Sequence, residues 1–239
     1  LEVMNRKQQP VALTYAAGIM GGTGFAVFFG CGPTDAVVAV LVSLLIVFVG
    51  RVLDKVEDNL LVYNLLLAFL SEVVIIGMAA LGIGTHPDRI MIGIVMLLIS
   101  ALSTTNGIRE VLQRDFISGL INIMNSVLGA AGIAFGIALA MWLLGEGEYD
   151  GFILNNSVPV QLVSCTVACI GFALWFKIRG RQVLFCGIGA FFTWAIYVVT
   201  FAVWPSNFAA TLAGGIFVAA YAFVMSRVNK APATIFLTA

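Results

Sequence analysis

The chain has 239 residues, 61% of them hydrophobic and only 10% charged, with 12 Lys and Arg against 12 Asp and Glu. Its mean hydropathy is +1.07. Soluble domains are about 45–50% apolar and about 25% charged, so a water-soluble fold is excluded and lipid is the solvent for much of this surface. No basic or acidic block is present, which argues against a nucleic-acid partner.

Residues 1–10 form a lead-in with Arg6 and Lys7, and no small-residue cleavage site follows to make it a secretion signal. Apolar runs predict membrane helices at 11–30, 35–50, 60–82, 90–103, 116–144, 160–176, 183–203 and 208–226. These runs are continuous and lack the alternation of barrel strands. Basic residues fall in every second loop: Arg51 and Lys55, then Arg109 and Arg114, then Lys177, Arg179 and Arg181, then Arg227 and Lys230. The intervening loops are neutral or acidic (Glu146, Glu148, Asp150) apart from Arg89. This alternation predicts a cytoplasmic N-terminus.

A pattern occurs twice. Gly24-Phe25-Ala26-Val27-Phe28-Phe29 closes the first run, and Gly171-Phe172-Ala173-Leu174-Trp175-Phe176 closes the sixth. Five spans form each unit, an odd number, so the second half is expected to be inverted. The predicted fold is an all-α integral membrane protein, a polytopic bundle of two inverted five-helix repeats. The first repeat covers 11–150. The second covers 151–239 and is incomplete, with three helices and the start of a fourth after Pro232. A ninth span that stops at Ala239 implies further helices beyond it, and residues 1–10 read as the tail of a preceding segment.

Polar residues inside these runs are the candidates for chemistry. Glu72 lies mid-span beside Ser71. A central carboxylate costs roughly 2.5–3.5 kcal/mol to insert, so it must face a cavity or a partner. It is either a proton carrier or a neutral structural carboxyl. The fourth run passes into Ser103-Thr104-Thr105-Asn106-Gly107, residues that compete with helical hydrogen bonding or support it poorly. The expectation is an unwound helix whose free backbone groups suit a zwitterionic or anionic solute; the alternative is a polar cytoplasmic turn. Ser103, Thr104, Thr105, Asn106, Arg109 and Asn122 are the candidate substrate ligands, with Asn125 beside them. Glu110 and Asp115 join Glu72 as candidates for proton coupling. Arg109 matches a carboxylate bidentately, although it equally fits an interfacial salt-bridged turn with Glu110, Arg114 and Asp115. Gly132 and Gly136 have the spacing of close helix packing. Four cysteines without a CxxC pair and a single His86 suggest neither disulfide nor metal site, and no cofactor is expected. No Walker A motif and no nucleophile–base pair appears.

The stretch from Met91 to Gly119, above all Thr105-Asn106-Gly107-Ile108-Arg109-Glu110 and Asp115-Phe116-Ile117-Ser118-Gly119, resembles the threonine/serine exporter family. The Gly-Phe-Ala-Val-Phe-Phe segment is similar to that family's first helix. From Val160 onward, with Ala231-Pro232-Ala233-Thr234-Ile235-Phe236, the chain resembles the family's second module. The resemblance implies proton-driven export of threonine and serine across a bacterial-type inner membrane. Split relatives imply small dicarboxylates such as succinate as an alternative. A non-transporting membrane subunit, possible homo-oligomer included, is the reading from a different class. The family also implies a soluble N-terminal region. It usually has Leu-Val-Pro-Gly where this chain has Leu98-Ile99-Ser100-Ala101, so the break is expected at 103–107 instead.

Overall fold

A chain segment in hydrocarbon must satisfy its own backbone N–H and C=O groups, and a helix does so within one segment. In the computed structural model the chain is helical throughout the regular structure it describes, which comprises residues 10–57, 59–99, 101–145, 157–178, 180–229 and 236. Among these residues the order is α1 (Val11–Phe28), α2 (Pro33–Leu53), α3 (Leu60–Ala80), α4 (Pro87–Leu98), α5 (Ala101–Leu112), α6 (Phe116–Leu144), α7 (Val158–Trp175), α8 (Arg181–Val203) and α9 (Asn207–Asn229). Seven of them are long and apolar enough to cross a membrane, and α4 with α5 adds an eighth crossing if the bent pair is one span. Phe48, Ile117, Phe135, Trp142 and Phe208 are 62–78% exposed. Apolar surface on that scale is stable against acyl chains rather than water. The chain is a polytopic helical membrane protein. Glu146, Glu148, Asp150 and the ninth span expected after Pro232 lie outside the described residues.

The chain gathers into two compact units, one of residues 22–164 and one of residues 1–21 with 165–239. In the first, α6 packs along α3 through glycines. A Cβ on Gly132 would meet the carbonyl oxygen of Leu61, and one on Gly136 the carbonyl oxygen of Leu65, so only hydrogen allows this approach. The buried Asp35 carboxylate ties two loops together. It accepts from Gly32 N at 3.0 Å, Thr85 N at 2.6 Å and His86 Nδ1 at 3.1 Å. Arg89, the exception to the charge alternation, donates from Nη1 to Gly30 O at 2.7 Å. Together these bonds anchor the start of α4. In the second unit, Ala173, Cys186, Ala222 and Phe236 form a buried cluster, and Tyr221 Oη donates to Phe185 O at 2.8 Å.

The two copies of the repeated pattern end alike. Gly24 lies thirteen residues after the start of α1 and Gly171 thirteen after the start of α7. Cys31 N donates to Ala26 O at 3.1 Å and Gly30 N to Val27 O at 3.0 Å. Ile178 N donates to Ala173 O at 2.9 Å and Lys177 N to Leu174 O at 3.0 Å. Both ends are Schellman-type caps, with the left-handed position filled by Gly30 (φ 98) and by Lys177 (φ 61).

The helix break differs from expectation. It comes at Ile99, which leaves α4 in an extended conformation (ψ 124), and 103–107 is regular helix inside α5. The axes of the two pieces differ by 47°. The physical reason is packing against α6. A Cβ on Gly107 would lie 2.9 Å from Gly119 O, and one on Gly119 2.7 Å from Gly107 O. Thr104 Oγ1 and Ser126 Oγ are hydrogen-bonded at 2.6 Å. The small polar residues thus serve as helix–helix contacts, which outweighs their weak helix propensity.

Lys177→Gly is expected to stabilise the protein by roughly 0.5–1 kcal/mol, because glycine adopts the left-handed cap without a Cβ penalty; thermal unfolding in detergent measures it. Gly132→Ala is expected to cost about 1–3 kcal/mol by overpacking against α3. Gly215→Ala, inside α9 where nothing lies within 4 Å, is expected to stabilise by roughly 0.5–1 kcal/mol in the same assay.

Candidate functional site

The extended residue at Ile99 removes the helical partners of nearby backbone groups. The last turn of α4 presents carbonyls, and the first turn of α5 presents N–H groups. Helix ends of this kind carry partial negative and partial positive charge respectively. Beside the break lies a cavity of ≈ 340 Å³, walled by α3, α5, α6 and the end of α4. That volume is at the small end of ligand pockets, about 300–1,000 Å³.

Its polar lining is Asn64 from α3, Ser103 and Thr104 from α5, and Asn125 and Ser126 from α6. The remaining wall is apolar, including Leu60, Ile99 and Ile133. No ionisable side chain is among the described residues that line it.

Of the residues singled out from sequence, Ser103 and Thr104 reach the cavity, as does Asn125. Thr105 and Arg109 are exposed on α5, and Asn106 is half-buried. Asn122 Nδ2 donates to Glu110 Oε2 at 2.7 Å, and Ser118 Oγ donates to the same oxygen at 2.9 Å. These bonds clamp the α5–α6 hairpin near its turn. Asp115 caps α6, accepting from Ser118 N at 3.3 Å. Glu72 is 1% exposed on α3 and lies outside the cavity lining.

Two cavity residues were not singled out beforehand, Asn64 and Ser126. Asn64 had a signal. It precedes Ser71 and Glu72 by seven and eight residues, close to two helical turns, so the three share one face of α3. All three are buried. Ser126 directly follows Asn125 and carried no signal of its own.

Comparison with curated proteins and with solved structures gives no match. Family comparison does. A model for threonine/serine exporters matches residues 1–144. A second, described as Threonine/Serine exporter, ThrE, matches residues 161–239. Together they span both segments that carried the resemblance in sequence, and the chain belongs to the threonine/serine exporter family.

Proposed function

We propose that this chain is a proton-coupled secondary transporter that exports threonine and serine, and that the cavity at the Ile99 break is its solute site. The observation that carries this reading is the cavity's neutrality beside two helix ends of opposite partial charge. A zwitterion has no net charge to desolvate, and its ammonium and carboxylate suit the α4 carbonyls and the α5 N–H groups. A dicarboxylate brings two negative charges into a site with no cation, which is costly in a low-dielectric interior. Arg109, the cation considered for that role, is exposed and stands six residues beyond Ser103, about 9 Å along α5.

In this reading Ser103, Thr104 and Asn125 contact the solute. Thr105, Asn106 and Arg109 line its approach from the cytoplasmic side, with Glu110, Asn122 and Asp115 holding that end of the hairpin in place. Glu72 carries the coupled proton. It is fully buried on the helix that also walls the cavity, so its protonation state can bias the packing of α3. The matching caps of α1 and α7 support a relation between two modules, 11–150 and 151–239, and their inversion rests on the odd number of spans in each. The basic-loop pattern supports a cytoplasmic N-terminus, and the family resemblance is the ground for placing the chain in a bacterial-type inner membrane.

Counterflow in liposomes with labelled threonine, serine and succinate tests the substrate class. Threonine and serine are expected to exchange and succinate is not. Exchange of succinate alone would favour the dicarboxylate reading, and exchange of none would favour a non-transporting subunit. Glu72→Gln is expected to fold and to retain threonine counterflow, but to lose accumulation driven by an imposed pH gradient. Gradient-driven accumulation equal to that of the unaltered protein would remove Glu72 from the coupling step.

A further inference from the structure

Asn64 occupies a position on α3 that faces α6, where packing alone calls for an apolar side chain. It is 6% exposed. Gly129 of α6 approaches so closely that an added Cβ would lie 2.8 Å from Asn64 Nδ2. The amide makes no hydrogen bond with a described residue. This amide is not sealed away like the orphaned Ser43 hydroxyl; it brings two donors and an acceptor to the cavity wall. The Thr104 and Ser126 hydroxyls already bond each other. Asn64 is therefore the cavity's buried polar side chain with its hydrogen-bonding capacity unused.

We infer that Asn64 reads the side-chain hydroxyl of the transported amino acid and sets the preference for threonine and serine over aliphatic residues of the same size. This rests on the exporter reading above. The helix ends at the break draw the charged groups of a zwitterion to the α4–α5 side of the cavity. Asn64 stands on a different element, α3, and so meets the part of the solute away from those charges. Its amide accepts from the hydroxyl hydrogen or donates to the hydroxyl oxygen, whichever way the O–H group points. Leu60 and Ile133 share the cavity wall and supply apolar contact for the methyl group of threonine. Valine has threonine's shape with a methyl in place of the hydroxyl, so it would bury the Asn64 amide without a partner. A site built to hydrogen-bond a hydroxyl discriminates strongly against the analogue that lacks it.

The test is threonine and valine transport by the full chain in liposomes, with kcat/KM for each. Threonine is expected to be preferred by the unaltered protein. In Asn64→Leu and Asn64→Ala the threonine-to-valine ratio is expected to fall by about tenfold, the loss of one hydrogen bond at the upper end of its usual range. The fall should come from threonine, with valine unchanged or improved. Asn64→Ser, which puts a short hydrogen-bonding hydroxyl in place of the amide, should recover part of the ratio. A purely structural role would slow both solutes alike and leave the ratio where it was, and that result in any transport-competent variant overturns the assignment. Asn64→Ala only removes atoms. If Asn64→Leu does not reconstitute, the alanine variant carries the measurement, with valine competition against labelled threonine in detergent giving the ratio without turnover. Failure of the unaltered protein to move threonine or serine would overturn the exporter reading and this assignment with it.

Discussion

A helix that stops inside hydrocarbon leaves carbonyls and amides that lipid cannot satisfy. The break at Ile99 borders a cavity within the unit of residues 22–164, although Ile99 itself is 37% exposed. α6 provides most of the enclosure. Its glycines at 129, 132 and 136 let it run against the α3 backbone, and Gly119 lets α5 close on it from the other side. What is left between them is a small cavity whose floor is the break itself. Larger side chains at these glycines would hold the helices apart and expose the interrupted backbone to lipid.

Electrostatics follow from the same geometry. The charged side chains of this unit are held at its ends. Asp35 is saturated by loop amides and His86, Arg89 is bound to Gly30 O, and Glu110 is clamped by Ser118 and Asn122. The cavity wall is neutral, so the partial charges of two helix ends act there without competition from full charges. Glu72 is the exception in depth. It lies on the same α3 face as Asn64, so one helix carries both a cavity residue and a buried carboxyl.

The two family matches cover residues 1–144 and 161–239, and each contains one copy of the repeated Gly-Phe-Ala pattern. Each copy ends in the same pair of backbone hydrogen bonds, although one uses glycine at the left-handed position and the other lysine. The same backbone geometry is thus reached with a glycine in one copy and with a lysine, at a Cβ penalty, in the other.

Composition and apolar run length were enough to determine a polytopic helical membrane protein, because in lipid the hydrophobic run is itself the structural element. Seven of the eight expected spans were legible for the same reason, the packing role of Gly132 and Gly136 from their spacing, and the family from the motif residues between Met91 and Gly119. The location of the helix break was not. Ser103 to Gly107 looks like a weak helix when only local propensity counts, but α6 supplies partners that keep it helical, and the chain yields at Ile99 instead. Nor was Asn64 legible as a cavity residue, since the cavity residues from other helices are 34 residues and more away along the chain. Which polar groups in a membrane helix meet a pocket and which bond a neighbouring helix depends on contacts between distant segments, and only tertiary packing decides those.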